Sequence, residues 1–492
     1  MIRRTFLKTL IAGAGASVVD SGIRAADAVA KAAPARHPRR GKVVIGGAGI
    51  SGLCCGYELM RAGFDVTILE ASGRYGGHVF TGSDGLSDGL YADFGADHIT
   101  RPGYERLLEY AEEFGIPVVP YPNAEGAWLP YNDGDLRMIG GKFYTNRMLA
   151  DPKTLTGLGF NSREVGFLST HPWYELENLY LRSYVDEIKN PNHPFGLGLD
   201  DLDKIPVTEI YKKEGASQAA IAQLGQDTTS ALYRIWRLAA EKSRRIPPSQ
   251  GEMFRLKGGN EQLPIAFARR LGARVKLAHP ITAIRQSGEG VRVSYREYGY
   301  DEDKTVDADF FVNCISLTVF RNIPVAPPLS AAKQYVLDNL IYTSHPFYVF
   351  EASSRFWLDD GFKSINMDFE HPEISSIWEV PTEVETTRVI LKAYGPGGLS
   401  PQQVLAAFRR VYPGKRDTIV QALTRDWTQD PLAPNCEMEP FPIGEMHRFW
   451  PEVLKPEGRI HFAGTYADLL SRGMESCIRS AQRVAREIRL AV

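Results

Sequence analysis

Cysteine is scarce in this chain, which has five cysteines among 492 residues. Cys54 and Cys55 are adjacent and the other three are scattered, so the sequence has neither a disulfide framework nor the CxxC pairs of a structural zinc site. An excess of either charge is also missing, because 57 Lys and Arg residues balance 59 Asp and Glu residues. The composition therefore does not indicate a basic surface, and we expect no nucleic-acid partner.

Long apolar runs are missing as well. Residues 9–19 are modestly apolar and too short to span a bilayer, so we expect no transmembrane helix in the mature chain. Arg3 and Arg4, followed by Phe-Leu-Lys, precede this segment and resemble a bacterial twin-arginine signal. The segment Ala26-Asp27-Ala28 has the small residues that a signal peptidase requires.

These features predict a twin-arginine-type signal peptide over residues 1–28 and a linker over residues 29–41. We therefore expect a protein exported to the bacterial periplasm by the twin-arginine machinery. The alternative is a cytosolic protein whose N-terminus is basic by chance. The other bulk properties, 43% hydrophobic and 24% charged residues, are those of a packed globular protein.

A dinucleotide-binding motif opens the mature part of the chain. Residues 42–53 read KVVIGGAGISGL, a β-branched run, a glycine turn and the start of a helix expected over about residues 51–62. Gly47 permits the tight turn, Gly49 lets the backbone approach a pyrophosphate, and Gly52 lets helix and strand pack closely. The helix N-terminus would direct its amides and dipole at the phosphates.

A second strand, Asp65–Leu69, is followed by Glu70, which lies 18 positions after Gly52. A carboxylate at this place accepts hydrogen bonds from a ribose 2′-hydroxyl and repels a 2′-phosphate. The order of strand, turn, helix, strand and acid favours a dinucleotide site over an incidental glycine turn. Both NAD and FAD fit these residues.

The residues after Glu70 resemble the second motif of the flavin amine oxidase family, R-x-G-G-R. Arg74, Gly76 and Gly77 match the motif, and His78 stands where the family has its second arginine. In the family, the glycines let the backbone pass close to the cofactor and the arginine contacts phosphate. The resemblance implies that the cofactor is FAD. Because His78 replaces a permanently charged arginine, the site for the FAD phosphates has one fixed charge fewer.

The resemblance continues along residues 42–492. Residues 91–98 resemble the loop beside the isoalloxazine ring, and residues 255–264 resemble the return of the chain into the flavin domain. A strand pair is expected over residues 275–284 and 290–293. In the family, the backbone of the residue that matches Ile281 contacts adenine. Residues 459–466 and the helix that starts at Gly473 resemble the last strand and last helix, whose N-terminus would face the N1–C2=O edge of the flavin.

The fold implied by the resemblance is α/β. It has a discontinuous, Rossmann-like FAD-binding domain made of residues 42–102, 251–322 and 445–492, and an inserted α+β substrate-binding domain made of residues 103–250 and 323–444. The cofactor-binding residues it implies are Gly47, Gly49, Ile50, Ser51, Gly52, Glu70, Ala71, Arg74, Gly76, Gly77, His78, Gly95, Ala96, Asp97, Ile281, Cys436, Thr465, Gly473, Met474 and Glu475.

The resemblance also implies a reaction, the oxidation of a small-molecule amine. A hydride moves from the carbon that bears the amine to flavin N5, and water hydrolyses the imine that results. Reoxidation of the flavin by O2 would yield hydrogen peroxide. A periplasmic electron carrier is the alternative acceptor.

Three departures from the family pattern fall on the catalytic side. The lysine that family members hold near N5 is missing from residues 340–347, where His345 is the candidate substitute. Monoamine oxidases have an aromatic cage, and its two positions here hold Glu437, which would attract a cationic amine, and Gly473. His98 stands where amino-acid oxidases have the arginine that binds the substrate carboxylate, which favours a plain amine. The candidate catalytic residues are therefore His98, His345 and Glu437.

Cys436 lies nine residues after Trp427, and Phe441 lies five residues after Cys436. The same spacing occurs in monoamine oxidases whose cysteine is bonded covalently to the flavin. We hypothesise a cysteinyl-FAD thioether at Cys436, and a buried free thiol is the alternative.

Two other functions stay open at this point. A desaturase-like or porphyrinogen-oxidase-like flavoenzyme, acting on C–C or ring bonds, would explain the missing lysine and cage. A flavin-binding protein without catalytic turnover is the other possibility. We expect no metal site, because HExxH is absent and the ten histidines form no ligand-spaced cluster.

Overall fold

The computed structural model describes residues 40–121, 135–225, 227–246, 252–343, 346–435, 437–469 and 473–492. The predicted signal peptide and all but the last residues of the predicted linker lie outside the described residues. His345 and Cys436 also lie outside them.

The strands of the described residues are short. They are β1 (Lys42–Gly46), β2 (Asp65–Leu69), β3 (Thr81–Gly82), β4 (Ala92–Asp93), β5 (Ile99–Arg101), β6 (Val118–Pro120), β7 (Leu136–Ile139), β8 (Lys142–Thr145), β9 (Glu252–Leu256), β10 (Val275–Lys276), β11 (Ile281–Gln286), β12 (Val291–Arg296), β13 (Asp303–Ala308), β14 (Phe310–Asn313), β15 (Val325–Ala326), β16 (Tyr342–Thr343), β17 (Phe347–Ala352), β18 (Met367–Asp368), β19 (Ser376–Val380), β20 (Val389–Tyr394), β21 (Ile419–Thr424), β22 (Glu437–Met438) and β23 (Ile460–Phe462).

The helices of the same residues are α1 (Ile50–Arg61), α2 (Glu105–Glu113), α3 (Pro152–Gly157), α4 (Ser162–Leu168), α5 (Asn178–Val185), α6 (Val207–Lys213), α7 (Gln218–Leu224), α8 (Ala231–Ser243), α9 (Gln262–Leu271), α10 (Leu317–Phe320), α11 (Ala331–Asn339), α12 (Phe356–Asp359), α13 (Pro401–Val411), α14 (Met446–Phe449) and α15 (Gly473–Leu490). Short 3-10 turns occupy Met148–Ala150, Trp173–Glu175, Asp200–Lys204, Gly272–Arg274, Trp427–Gln429, Glu452–Leu454 and Thr465–Ala467.

Five parallel strands form one sheet, in the order β10-β2-β1-β14-β23. Val43 is in register with Phe310 on one side and with Val66 on the other. Both faces of the sheet are covered, because Val44 packs into one core cluster whereas Val43 and Ile45 pack into another. This double burial explains why β1 is a continuous apolar run and not an alternating one.

Helix α1 follows β1 after the glycine turn, as the motif predicts. It begins at Ile50 with Gly49 as its N-cap and ends at Arg61, within one residue of the predicted bounds. It packs against α9 and α15. A Cβ on Gly52 would overlap the carbonyl oxygen of Gly47, so only glycine allows the helix to lie this close to the turn. The predicted strand, turn, helix and second strand are confirmed.

The predicted strand pair after residue 275 is only partly correct. Strand β11 pairs with β12 in antiparallel fashion, as expected. Strand β10 instead joins the five-stranded sheet beside β2, with Val275 in register with Ile68. The chain turns between the two strands at Ala278, which has a φ of 59°. This turn separates two short strands that read as one apolar segment in the sequence.

A second, mainly antiparallel sheet has seven strands in the order β21-β17-β20-β19-β18-β7-β8. Strand β20 lies between β17 and β19 and is buried from Val389 to Ala393. Residues of helices α3 to α8 belong to the same core cluster as Val44, and Trp236 lies in it. The described residues thus form the mixed α/β fold that we predicted, with a Rossmann-like parallel sheet.

Within the described ranges, none of the helices combines the length and the apolar character that crossing a bilayer requires.

Candidate functional site

A cavity of about 650 Å³ lies at the carboxyl ends of the parallel strands. Gly47 follows β1, Glu70 follows β2, Cys314 follows β14, and Gly464 lies two residues after β23; all four line the cavity. Open α/β sheets bind their ligands at this edge, because the strand-to-helix turns there expose backbone amides.

Most of the predicted site residues line this cavity. They are Gly47, Gly49, Ile50, Ser51, Glu70, Ala71, Arg74, Gly76, Gly77, His78, Gly95, Ala96, Asp97, His98, Ile281, Glu437, Thr465, Gly473 and Met474. Gly52 packs behind the turn, as described above. The carboxylate of Glu475 turns away, toward the backbone amides of Arg106 and Leu107, which lie 3.3 and 3.0 Å from its oxygens.

The first turn of α1 forms a cradle for an anion. Gly49 caps the helix without a side-chain hydrogen bond, and a Cβ placed on it would meet no atom within 4 Å. The N–H of Gly76 donates to the carbonyl of Ala48 at 2.8 Å, so the second glycine motif lies directly beside the first. Free helix amides and the positive end of the helix dipole therefore face open space, as a pyrophosphate requires.

Glu70 is fixed in place by three donors. Its Oε2 accepts from the N–H of Ala48 at 2.6 Å, and its Oε1 accepts from the N–H and hydroxyl of Ser72 at 2.8 and 2.7 Å. A carboxylate has about four acceptor positions, so one position on Oε2 is left for a ligand hydroxyl. This arrangement fits the predicted ribose contact.

Arg74 and His78 lie against one indole ring. The guanidinium of Arg74 is 5.4 Å from the Trp427 ring centroid, and its Nη2 donates to the carbonyl of Gly77. Burial lowers the pKa of His78 to about 4, although the hydrogen bond of its Nε2 to the carbonyl of Ala433 opposes this shift. Because a carbonyl can only accept, Nε2 carries the proton, and the imidazole is neutral at neutral pH. His78 therefore does not replace the charge of the family's second arginine.

The loop that contains Gly95 runs directly beside His78. A Cβ on Gly95 would overlap the carbonyl oxygen of His78, and the same oxygen accepts from the N–H of Ala96 at 2.9 Å. Gly95 thus allows the two predicted cofactor-binding segments to lie in backbone contact.

Asp97 has a buried partner that no motif of the sequence indicates, a lysine. Nζ of Lys392, on β20, lies 2.8 Å from Oδ1 of Asp97, and neither side chain is more than 2% exposed. Burial raises the pKa of Asp97, but Lys392 and His98 together outweigh burial and hold this pKa well below its usual range. On the cavity side, Nδ1 of His98 lies 3.7 Å from Oδ2 of Asp97.

Aromatic side chains from three separate strands also line the cavity. Phe347 and Tyr394 are cross-strand neighbours whose ring centroids lie 4.7 Å apart, and Tyr342 lines the wall beside them. The sequence does not place these residues together, because 36 residues separate β17 from β20 (352 to 389) and only strand pairing brings the rings together. The aromatic residues of β17, which are Phe347, Tyr348 and Phe350, were the one available signal.

Glu437 is exposed on the cavity wall, where β22 pairs with β16. Asn435 holds the preceding turn, because its Nδ2 donates to the carbonyl of Tyr342 at 2.7 Å. His345 and Cys436, the other two candidates of this region, lie outside the described residues.

Comparison with known proteins decides the family. Residues 50–489 match the family described as flavin containing amine oxidoreductase. This chain belongs to the flavin-containing amine oxidoreductases. It is 28% identical to the L-amino-acid oxidase of Vipera ammodytes ammodytes over 479 residues, which cover 91% of this chain and 93% of that protein. It is 27% identical to the L-amino-acid oxidase of Naja atra over 477 residues, which cover 91% and 88%.

Solved structures show the same fold. A putrescine oxidase bound to putrescine superposes with a TM-score of 0.73 at 20% identity, over 92% of this chain and 99% of that one. Cyclohexylamine oxidase from Brevibacterium oxydans IH-35A has a TM-score of 0.70 at 20% identity, with the same coverage. This amine oxidoreductase thus has the fold of the FAD-dependent amine oxidases, a Rossmann-like FAD domain with a substrate domain.

The cavity wall fits FAD as the cofactor. The open cradle at Gly49, the uncapped start of α1 and the remaining acceptor position on Glu70 match a pyrophosphate and a ribose hydroxyl. The enzyme is therefore an FAD-dependent oxidoreductase of the amine oxidase type.

Proposed function

We propose that this enzyme oxidises a plain amine, without an α-carboxylate, at its C–N bond and uses O2 as the acceptor, with hydrogen peroxide as product. The observation that carries the proposal is the pair of residues at the end of the flavin-side loop. His98 is on the cavity wall with Asp97 next to it, and the Asp97 carboxylate lies 3.7 Å from the imidazole. Among the described residues, a substrate carboxylate at this place would meet no arginine, and the buried carboxylate of Asp97 lies behind the imidazole.

The charges of the cavity wall support the same substrate class. Arg74 is the one arginine among the described wall residues, and it hydrogen-bonds to the glycine motif that we assign to the phosphates. Glu437 and Glu241 are wall carboxylates that would attract an ammonium group. The names of the putrescine and cyclohexylamine oxidases also favour an amine, whereas those of the snake enzymes favour an amino acid.

The residues of the cavity wall form two groups, one that would hold the cofactor and one that would face the substrate. Gly49, Glu70, Arg74 and the start of α15 would hold the cofactor, and FAD supplies the hydride acceptor when it is bound. The protein would orient the amine between His98 and Glu437, and the apolar rings of Tyr342 and Phe347 would exclude water from the reacting carbon.

A matched substrate pair tests the proposal. Phenethylamine and L-phenylalanine differ only in the α-carboxylate, so kcat/KM for the amine should be higher by about tenfold or more, because a carboxylate beside His98 would be desolvated without a cationic partner. Glu437→Gln should raise KM for the amine, and Glu112→Gln, an exposed carboxylate on α2, is the control. One peroxide per amine oxidised is expected.

Preference for L-phenylalanine would overturn the substrate class. Flavin bleaching by a cyclic precursor, with no amine oxidised, would favour a desaturase-like or porphyrinogen-oxidase-like enzyme instead.

We also propose a thioether between Cys436 and the flavin. Its support is the spacing from Trp427, which lies on the wall with Asn435 and Glu437, the neighbours of Cys436. After denaturation in acid, yellow colour that stays with the precipitated wild-type protein but not with Cys436→Ala supports the bond. Colour released from both proteins excludes it.

Export to the periplasm is the last part of the proposal, and it rests on Arg3 and Arg4. In a bacterial host, cell fractionation should find the mature protein in the periplasm. Replacement of both arginines by lysine should retain the precursor in the cytoplasm. Equal distribution of the two proteins would contradict the signal.

We assign the domains as predicted, with residues 42–102, 251–322 and 445–492 binding FAD and residues 103–250 and 323–444 binding substrate.

A further inference from the structure

The buried pair of Lys392 and Asp97 is costly for the fold. Lys392 lies in the centre of the seven-stranded sheet, on a strand whose neighbouring residues are apolar and buried. Burying a lysine and an aspartate requires several kcal/mol of desolvation per ion, of which their attraction repays only a part. A pair of apolar side chains would stabilise the core equally well. Core stability therefore does not explain why charged residues occupy these two positions.

The geometry around Asp97 indicates what the pair does. Its Oδ1 accepts from Lys392 at 2.8 Å and from the hydroxyl of Tyr121 at 2.9 Å. Its Oδ2 is buried and has no hydrogen bond among the described residues, and it lies on the side of His98. Lys392 also donates to the carbonyl of Asp93 at 2.6 Å, which fixes the ammonium group independently of Asp97.

The other ionisable groups near the pair are Arg255, Asp93 and Tyr121. Nε of Arg255 lies 3.8 Å from Oδ2 of Asp93, and both side chains are only 1% exposed. Tyr121 is a neutral donor, since burial raises the pKa of its hydroxyl well above the ordinary value. Lys392 is therefore the cation in direct contact with Asp97, and Arg255 is a second, more distant positive charge.

His98 is the member of this group that a substrate can reach. Its side chain is 27% exposed and lines the cavity, whereas Asp97 is almost completely buried behind it. Because Nδ1 is the nitrogen on the side of Asp97, Nε2 is the nitrogen left to meet a ligand. A histidine with a buried carboxylate beside Nδ1 is an arrangement suited to accepting a proton at Nε2.

We propose that His98 accepts a proton from the substrate ammonium, with Asp97 and Lys392 as positioning residues. The N–H bond of the ammonium breaks, a new N–H bond forms at Nε2, and the electron pair stays on the amine nitrogen. Asp97 stabilises the imidazolium, and Lys392 keeps Asp97 anionic. The proton then passes from Nε2 to water. The inference rests on the proposed function, because only an amine that has lost its extra proton can release a hydride from the adjacent carbon.

A double-mutant cycle on the FAD-loaded enzyme tests the inference. Flavin reduction by phenethylamine is measured by stopped flow between about pH 6 and pH 9, the range in which a histidine titrates. His98→Gln should slow reduction by about 100-fold and remove the pH dependence of the rate. Lys392→Met should slow it by about tenfold in the wild-type background, but less than about threefold when Asp97→Asn is already present.

Two controls separate function from folding. Lys333→Met removes another buried lysine, whose Nζ bonds to the carbonyl of Lys455 at 2.8 Å, and should lower stability without changing the reduction rate. Lys392→Arg preserves the charge and should restore most of the rate. Additive losses in the cycle, or an unchanged pH profile in His98→Gln, would overturn the inference.

A second measurement is independent of turnover. In protein carrying 13C-labelled histidine, the His98 resonance is assigned by its loss in His98→Gln. Asp97→Asn removes the carboxylate beside Nδ1, so it should shift the His98 resonance when the two proteins are compared at one pH. If no amine reduces the flavin but this resonance moves, the proposed function fails while the Asp97–His98 coupling stands. A resonance that does not move overturns the coupling.

Discussion

The indole of Trp427 stacks on the imidazole of His78, with ring centroids 4.3 Å apart and planes inclined by 30°. Trp427 also donates from Nε1 to the carbonyl of Phe94 at 2.8 Å. One buried side chain therefore contacts the glycine motif and the flavin-side loop, and it begins the segment that leads to Glu437. This contact explains how residues far apart in the sequence reach the same cavity.

Protonation of His78 at acid pH should lower the stability of the protein. Burial lowers the pKa of this side chain from 6.5 to about 4, so the unfolded chain binds a proton more tightly than the folded one. Stability should therefore be lost as the pH falls from 6.5 to 4, by at most about 3 kcal/mol. Urea unfolding of His78→Gln should show a smaller loss over this range than the wild type. Equal losses would contradict the assignment.

Glu475 should make the stability of the protein depend on pH in the opposite direction. Burial raises its pKa from 4.5 to about 7, so the folded protein keeps a proton that the unfolded chain releases. Its contribution is fully present below pH 4.5 and is lost as the pH rises to 7, again by about 3 kcal/mol at most. Glu475→Gln should flatten the dependence of unfolding free energy on pH in this window. Glu112→Gln, on the helix that Glu475 contacts, should not.

Gly95→Ala should impair FAD binding. The new Cβ would overlap the backbone oxygen of His78, so one of the two loops must move. We expect a loss of about 1–3 kcal/mol of stability and a lower ratio of flavin to protein absorbance. Gly166→Ala is the matched control, because a Cβ there meets no atom within 4 Å and the residue lies inside α4, where alanine is favoured. Full flavin content in Gly95→Ala would argue against close packing of the loops.

Glu70→Gln should weaken FAD binding by about tenfold or more, because a hydrogen bond to a charged acceptor contributes about 1.5–3 kcal/mol. The amide retains one oxygen, so the contacts to Ala48 and Ser72 cannot both be kept. The measurement is titration of the apoprotein with FAD, followed by flavin fluorescence. If Cys436 bonds the flavin, the comparison is made in Cys436→Ala. Unchanged affinity would remove Glu70 from the ribose site.

Local patterns in the chain predict much of this protein. The glycine turn, the position of Glu70 and the start of α1 follow from short-range rules, in which a few neighbouring residues decide the backbone conformation. The family motifs add most of the cavity wall, including Ala96, Ile281 and Thr465. These predictions succeed because a backbone approach to a phosphate needs glycine at given spacings, whatever the rest of the chain does.

Long-range pairing decides the remainder. The chain order gives no indication that Lys392 reaches Asp97, 295 positions earlier, because that contact depends on how β20 lies in the second sheet relative to the flavin-side loop. The direction of the Glu475 side chain likewise depends on the docking of α15 against α2. Hydrophobic burial is non-directional. A sequence therefore indicates which strands are buried but does not indicate which of their side chains meet. The cofactor and the reaction class can therefore be inferred from motifs, whereas the proton-handling groups become visible only when the sheets are assembled.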